Sequence, residues 1–299
     1  MPAEIVENQF ASLSNGTRLH YASAGQPGRP LILFLHGFPE FWYEWQAQLA
    51  EFGQDWHAVA PDLRGFNLSD QPADVSAYRA RHIVEDLRLL IGHLGYQQCV
   101  LVAHDWGGAI AWNMAIALPQ MLKRLVIINA PNPWLFAQAL VHDPLQQQAS
   151  AYMNWLRQPG AEEALAKDAY QRMESLFVGM GQRSAPWFAG EARARYLESW
   201  SKGLTGALNY YRASPMYPPT EADPGPARLQ LNPEDFRVRV PTLVIWGESD
   251  VALPSNLLDG LDTLVDDLEV ARIPEGSHWV VHEQPERINR LIRGFTASS

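Results

Sequence analysis

The sequence predicts an α/β protein in which a mostly parallel, eight-stranded sheet is flanked by helices. Short apolar runs alternate with longer helical segments, and the alternation is interrupted once, over residues 133–229, where only helices are predicted. Strands that alternate with helices form parallel neighbours in one sheet. We therefore expect a core of residues 1–132 and 230–299, with residues 133–229 forming a helical cap inserted after the sixth strand.

Each strand has its own local signal. The first two, near residues 5–13 and 18–24, are joined by Asn15-Gly16, a dipeptide typical of hairpin turns. The next runs are apolar enough to be buried on both faces, except the last, which is weaker: residues 31–35, 58–60, 100–103, 125–129, 242–246 and 270–273. Helices are predicted at residues 42–52, 82–94, 107–118, 255–261 and 285–295.

Composition and charge exclude several classes of protein. The chain has 299 residues, of which 47% are hydrophobic and 19% charged, so it can bury a large core. The 23 Lys+Arg and 33 Asp+Glu give a net charge of −10, which argues against a nucleic-acid partner. Cys99 is the only cysteine, which excludes an internal disulfide. Since no signal peptide or membrane-spanning run is visible, we expect a cytoplasmic protein that does not bind membranes.

The segment His104-Asp105-Trp106-Gly107-Gly108 carries the most chemical information. It lies between an apolar strand and a helix, where a sharp turn that exposes a nucleophile needs small neighbouring residues. Asp105 would lie near a helix N-terminus, whose N–H groups favour negative charge. A carboxylate at this position can attack a carbon that bears a leaving group and form an ester. The alternative is an aspartate that only caps the helix.

Two later strand ends supply partners for Asp105. Asp250 follows the seventh strand and His278 lies on the loop after the last one, which is the chain order nucleophile, acid, base. We predict that His278 is the general base and that Asp250 orients its ring. Glu248 is the competing acid, and His282 is interpreted as a surface or packing residue.

The loop after the third strand has the sequence His36-Gly37-Phe38-Pro39-Glu40. The backbone N–H groups of Phe38 and of Trp106 are predicted to form an oxyanion hole. The Phe38-Pro39 bond is a candidate cis peptide. His36 is interpreted as a structural hydrogen-bonding residue, and Glu40 as a candidate for positioning a water molecule.

Together, these segments resemble the epoxide hydrolases of the α/β-hydrolase fold over essentially the whole chain. The resemblance extends to Asp-Leu-Arg-Gly-Phe at residues 62–66, to Ser69 and to Asn-Ala-Pro at residues 129–131. It implies conversion of an epoxide to a vicinal diol through an ester on Asp105, which water activated by His278 then hydrolyses. It implies a small apolar epoxide as substrate and no cofactor or metal. The natural substrate, the selectivity and a homodimeric state stay open.

The resemblance also assigns two cap tyrosines to the epoxide oxygen. Tyr152 precedes the Gln-Pro-Gly turn at residues 158–160, and Tyr211 lies in Asn-Tyr-Tyr-Arg at residues 209–212. A phenol can hydrogen-bond the alkoxide that ring opening produces and can supply its proton. The alternative is that both tyrosines are packing residues, and Tyr210 competes with Tyr211 for the second assignment.

Two other functions stay open at this point. Haloalkane and fluoroacetate dehalogenases resemble the chain in the aspartate nucleophile, although the former usually carry asparagine at the position of Phe38. The latter carry arginines where Trp106 and Ala109 stand, and a cap histidine where Tyr152 stands. The second alternative is a catalytically silent hydrolase fold that binds a small ligand. A serine-type esterase is disfavoured because Asp105 occupies the nucleophile position.

Overall fold

The computed structural model describes residues 2–180 and 185–297, and one eight-stranded sheet forms its centre. The strands are β1 (Ile5–Ser12), β2 (Arg18–Ala24), β3 (Leu31–Leu35), β4 (His57–Pro61), β5 (Cys99–His104), β6 (Leu122–Ile128), β7 (Thr242–Gly247) and β8 (Leu268–Ile273). Their order across the sheet is β1-β2-β4-β3-β5-β6-β7-β8. The first two strands pair antiparallel and the other six are parallel, which confirms the predicted sheet.

Burial explains why the strand signals differed in strength. Every side chain of β3, β4, β5 and β7 is buried, because helices cover both faces of the middle of the sheet. Strand β8 lies at the edge, and its residue Val270 is 43% exposed. An edge strand needs fewer apolar residues, so its apolar run was the weakest of the series.

The helices are α1 (Gln46–Phe52), α2 (Ala80–His93), α3 (Asp105–Ala117), α4 (Pro133–His142), α5 (Pro144–Ala149), α6 (Ala151–Leu156), α7 (Ala161–Gly179), α8 (Gly190–Ser201), α9 (Thr205–Ala213), α10 (Val280–Glu283) and α11 (Pro285–Ala297). Helices α2, α3 and α11 agree with the prediction within two residues at each end. The helix predicted over residues 42–52 begins instead as a 3-10 turn, Trp42–Trp45. None of the helices in the described ranges is long and apolar enough to cross a bilayer.

The helix predicted over residues 255–261 is wrong. This stretch forms two 3-10 turns, Ser255–Leu258 and Leu261–Thr263. Gly260 separates them and adopts the left-handed conformation with φ of 83°. A run of apolar residues this short does not distinguish a helix from a turn that buries the same side chains, and a glycine within it interrupts helical hydrogen bonding.

Helices α4 to α9 all lie between β6 and β7, in the stretch where only helices were predicted. Several contacts attach this helical segment to the loops at the carboxyl edge of the sheet. Trp200 Nε1 donates a hydrogen bond to Pro39 O at 2.7 Å. The Tyr210 hydroxyl donates to Arg64 O at 2.9 Å. The backbones of residues 65 and 206 approach so closely that a Cβ on Gly206 would lie 2.5 Å from Gly65 Cα.

The motif at residues 62–66 has a structural role. Asp62 accepts a hydrogen bond from Trp42 N at 2.9 Å and pairs with His20 Nδ1 at 2.6 Å. Arg64 forms a bidentate pair with Asp86, at 2.7 Å from Nε and 2.6 Å from Nη2. These buried pairs hold the loop after β4 against α2, and this loop in turn supports α9.

A pair of glycine substitutions tests the packing of α3 against the sheet. A Cβ on Gly107 would lie 2.4 Å from Leu35 O, whereas one on Gly92, in α2, meets nothing within 4 Å. We expect Gly107→Ala to lower the free energy of unfolding by about 1–3 kcal/mol, and Gly92→Ala to raise it by about 0.5–1 kcal/mol. Urea denaturation measures both, and a Gly107→Ala protein as stable as the parent would contradict this packing.

Candidate active site

Asp105 lies at the turn where β5 ends and α3 begins, and its backbone is left-handed with φ of 47°. Glycines make room for this turn. A Cβ on Gly37 would lie 2.3 Å from Asp105 Oδ1, and one on Gly108 would lie 2.3 Å from Ala130 Cβ. A left-handed non-glycine residue stores strain of about 1–3 kcal/mol, which only the surrounding packing can hold. The turn therefore projects this carboxylate beyond the sheet edge.

The Asp105 carboxylate is only 14% exposed, yet it is held in its charged form. Phe38 N donates a hydrogen bond to Oδ1 at 2.8 Å, and His278 Nε2 lies 3.6 Å from Oδ2. Burial alone would raise the pKa of Asp105, but His278, His104 and the Phe38 N–H together lower it below its ordinary value. Trp106, in the first turn of α3, has a backbone N–H without an acceptor within the helix.

His278 lies between two carboxylates. Its Nδ1 is 2.6 Å from Asp250 Oδ2, and the other Asp250 oxygen accepts hydrogen bonds from Ala252 N at 2.8 Å and Leu253 N at 2.9 Å. Burial of the ring lowers the pKa of His278, but the charges of Asp250 and Asp105 more than offset this and raise it to about 9. The imidazole is therefore a cation while Asp105 carries its charge.

Asn129 is a member of the site to which the sequence analysis assigned no role, although it belongs to one of the segments that carry the resemblance. Its Nδ2 donates to Asp250 Oδ2 at 2.7 Å, and its Oδ1 accepts from Gly247 N at 2.8 Å. The available signal was its position after β6, because β6 and β7 are neighbours and their carboxyl ends meet at one edge. The competing acid, Glu248, pairs instead with Arg272 at 2.9 Å.

A fully buried polar cluster lies behind the site. His104 Nε2 donates to the backbone oxygen of His278 at 2.9 Å, and its Nδ1 lies 2.7 Å from Glu44 Oε1 and 3.5 Å from Glu40 Oε2. Although burial opposes it, the two glutamates raise the pKa of His104 well above its usual value. Burial and the charge of Glu40 raise the pKa of Glu44 well above its usual value, which favours the neutral form of this carboxyl.

The ligand atoms of Glu40, Glu44 and His104 lie within 4.8 Å of one another, a separation at which a metal ion could be held. A protonated imidazole, however, has no lone pair on Nδ1 for a metal.

Glu40 connects this cluster to the helical segment. Its Oε1 accepts a hydrogen bond from the Tyr196 hydroxyl at 2.8 Å and lies 2.5 Å from His282 Nε2. The predicted role in positioning water is not tested by these contacts. His282 stacks on Trp187 with ring centroids 4.2 Å apart, as expected of a packing residue. His36 likewise has structural contacts, since its Nε2 accepts a hydrogen bond from Leu63 N at 3.0 Å.

Tyr152 and Tyr211 face Asp105 across a cavity of about 580 Å³, and their ring centroids are 6.2 Å apart. Burial is the main cause that raises the pKa of both phenols, and the charge of Asp105 adds to it. Both therefore stay protonated and can donate hydrogen bonds. Tyr210 also reaches the cavity wall, but its hydroxyl is committed to Arg64 O.

The rest of the cavity wall is mainly apolar. The apolar lining residues include Ile110, Pro131, Pro133, Phe136, Met153, Met216, Phe236 and Leu253. The charged lining residues other than Asp105 are Arg79, Arg81 and Arg228. The site thus combines an ionised carboxylate, an imidazole and two neutral phenols at one end of a largely apolar space.

Comparison with known proteins shows which families the chain resembles in sequence and fold. A family profile described as the alpha/beta hydrolase fold matches residues 30–285. A relative named Epoxide hydrolase 4, from Mus musculus, is 34% identical over 288 residues, covering 94% of this chain and 77% of that relative. The solved structure of a Bacillus megaterium epoxide hydrolase with an inhibitor is 35% identical, with a TM-score of 0.88, covering 97% of this chain and 100% of the other. A structure described as a novel epoxide hydrolase from metagenomes of hot environments is 36% identical, with a TM-score of 0.84 and full coverage of both chains.

The two carboxylates beside His278 determine the pH at which its imidazole titrates. Its imidazole should titrate near pH 9, and Asp250→Asn and Asp105→Asn should each lower the midpoint by about one pH unit or more. Because the folded-state pKa is raised, the stability this group contributes is complete below about pH 6.5 and is lost as pH rises through about 9. NMR of the imidazole protons measures the midpoint, and His278→Gln identifies the signal. A parent midpoint near the ordinary value would contradict the ion-pair geometry.

Proposed function

Because the chain belongs to the α/β-hydrolase-fold family and, within it, to the epoxide hydrolases, we propose that it converts an epoxide to a vicinal diol through an ester on Asp105. One observation carries the proposed mechanism: an ionised, hydrogen-bonded carboxylate faces two neutral phenols across an apolar cavity. Residues 133–229 are the proposed cap that contributes both phenols. A small apolar epoxide is the proposed substrate, and a cytoplasmic location stays a prediction.

In the first step, an oxygen of Asp105 attacks a ring carbon of the epoxide and the carbon–oxygen bond breaks. The departing oxygen would be a strongly basic alkoxide, so it takes a proton from Tyr152 or Tyr211 and a hydrogen bond from the other. Both phenols are available because burial keeps them protonated at neutral pH. The product of this step is a neutral hydroxyalkyl ester of Asp105.

Formation of the ester changes the electrostatics of His278. The charge of Asp105 disappears, so one of the two anions that raise the pKa of His278 is lost. The pKa then falls, the ring passes its proton to the phenolate left by the first step, and Nε2 becomes a base while Nδ1–H stays bonded to Asp250. The first step therefore prepares the base for the second.

In the second step, His278 takes a proton from water, and the resulting hydroxide attacks the ester carbonyl of Asp105. The N–H groups of Phe38 and Trp106 are the proposed oxyanion donors, and one such donor lowers the barrier by about 3–4 kcal/mol. Collapse of the tetrahedral intermediate releases the diol and restores the carboxylate. The carboxyl proton formed in the collapse passes to the departing alkoxide, and His278 keeps the proton that it took from water, so the site returns to its resting charge.

Two variants separate these steps. Asp105→Ala should abolish turnover of styrene oxide because the nucleophile is gone. His278→Gln should stop after the first step, because attack by Asp105 needs no base whereas hydrolysis of the ester does. Intact-protein mass spectrometry should then show an adduct in the His278→Gln protein and none in the Asp105→Ala protein.

Normal turnover by His278→Gln, or no adduct with a substrate that the parent hydrolyses, would overturn the assigned base. A panel of haloalkanes and haloacetates serves as the control for the reaction class. Halide release with no diol from any epoxide would favour the dehalogenase alternative.

The two phenols supply a further test. Tyr152→Phe with Tyr211→Phe keeps both rings and removes both hydroxyls, so packing should change little. We expect each hydroxyl to contribute a factor of about 10² or more to epoxide turnover. Product formation measures the loss, and circular dichroism verifies the fold. Near-parental activity of the double variant would show that both tyrosines are packing residues.

A further inference from the structure

Glu44 is a buried acidic residue to which the proposed reaction gives no role. It lies in the 3-10 turn Trp42–Trp45, whose four residues are all buried, and its side chain is 0% exposed. A carboxyl group in such surroundings loses its hydration, and this costs free energy unless hydrogen bonds or ion pairs replace the lost water. The contacts of Glu44 should therefore account for its presence.

The His104 ring connects Glu44 to the loop that carries the proposed base. Glu44 Oε1 lies 2.7 Å from Nδ1 of this ring, and Nε2 lies 2.9 Å from the backbone oxygen of His278. The His104 and His278 rings pack with centroids 4.8 Å apart, and His104 also packs on Trp279 at 5.8 Å. One side chain thus joins the turn after β3 to the loop after β8.

These two contacts together require two protons. A backbone carbonyl can only accept a hydrogen bond, so the contact with His278 needs a proton on Nε2 of His104. The contact of 2.7 Å between Nδ1 and Glu44 needs a second proton, because a ring lone pair and a carboxylate repel each other. Whether this second proton lies on the ring or on the carboxyl, the first one stays on Nε2. Glu44 therefore maintains the donor that His278 requires.

Glu40 would otherwise compete for the proton on Nε2. Its Oε2 lies 3.5 Å from the same Nδ1 of His104. Although burial opposes it, His282 and His104 lower the pKa of Glu40 well below its usual value, which favours the carboxylate. Without Glu44, a neutral ring would have one proton for two acceptors, the Glu40 carboxylate and the His278 carbonyl. A proton on Nδ1 would remove the hydrogen bond to the loop of the base.

We propose that Glu44 is a positioning residue for hydrolysis of the ester, and that it acts through His104, which holds the backbone of His278. The inference rests on the proposed function and adds a residue to it. Asp250 restrains the His278 ring at Nδ1, and His104 restrains the main chain of the same residue. Attack by water needs this base in place, and a misplacement of about 1 Å can cost about 10²-fold in rate. Attack on the epoxide needs no base.

Two variants separate the hydrogen bonding of Glu44 from its packing. Glu44→Leu has a similar volume and no polar side-chain atom, whereas Glu44→Gln can donate to Nδ1 of His104 or accept from it. Rapid mixing with styrene oxide measures each step in a single turnover. We expect Glu44→Leu to form the ester within about threefold of the parent rate and to hydrolyse it about tenfold more slowly or worse. The ester should then accumulate, as intact-protein mass spectrometry detects, and Glu44→Gln should hydrolyse it within about threefold of the parent rate.

Gln48→Leu is the matched control. Gln48 is also fully buried and lies four residues further along the chain, but it donates a hydrogen bond to Asn289 at 3.0 Å and not to His104. This variant should lose stability without a selective loss of ester hydrolysis. Urea denaturation compares the stability of the three variants.

A measurement on the parent tests the same inference if Glu44→Leu does not fold. In protein with isotopically labelled histidine, NMR should show a proton on Nε2 of His104 at neutral pH that exchanges slowly with water. The variant His104→Gln identifies the signal. An unprotonated Nε2 would overturn the inference.

Three kinetic results would also overturn it. They are equal losses in both steps for Glu44→Leu, hydrolysis by Glu44→Gln as slow as by Glu44→Leu, and equal accumulation of the ester in Gln48→Leu. The proposed function stands in each case, because the parent still forms and hydrolyses the ester. If the parent itself gives neither ester nor diol from styrene oxide, the proposed function fails and the inference fails with it.

Discussion

The left-handed backbone of Asp105 is the constraint on which the site depends. A non-glycine residue with φ of 47° needs surrounding packing to hold it, and here every residue of β5 is buried and α3 is buried along the face that includes Gly107, Gly108 and Ala111. A side chain at Gly37 would collide with the Asp105 side chain, and one at Gly107 would collide with the backbone of Leu35. The end of β3, the end of β5 and the start of α3 are therefore in direct contact around the Asp105 carboxylate. The same turn brings the Phe38 N–H to the carboxylate. Strain at one residue thus creates a site with little freedom to rearrange.

Charge balance among the buried side chains is the second condition on which the site depends. The ionised Asp105 faces the cation of His278, whose other nitrogen meets Asp250. Behind them, Glu40 and Glu44 raise the pKa of His104, and burial with the charge of Glu40 raises the pKa of Glu44. Buried charges are tolerated only when they are paired and hydrogen-bonded. Removal of one charge therefore shifts the protonation of its partner, which is how ester formation would change His278.

The sequence predicted the sheet because buried parallel strands leave a strong apolar signal and glycines mark the turn at Asp105. It did not predict the role of Asn129. The partner of this residue, Asp250, is 121 residues away, and only the order of the strands in the sheet shows that the two are neighbours. The turns near Gly260 were mistaken for a helix because an apolar run shorter than two helical turns has no distinctive period. Tyr152 and Tyr211 were found through family resemblance, since aromatic residues in a helical segment are indistinguishable from packing residues.

The attachment of the helical segment to the core has a consequence for molecular exchange with solvent. Its contacts at Pro39, Arg64 and Gly65 fix one side of the segment, while the cavity opens elsewhere, beside exposed side chains. Reactant and diol can therefore exchange through this opening while the contacts at Pro39, Arg64 and Gly65 stay in place. Two new hydroxyl groups make the diol much better hydrated than the epoxide, and an apolar wall cannot replace that hydration. The cavity wall thus binds the diol less tightly than the epoxide, which favours release of the product into solvent and limits its competition with the reactant.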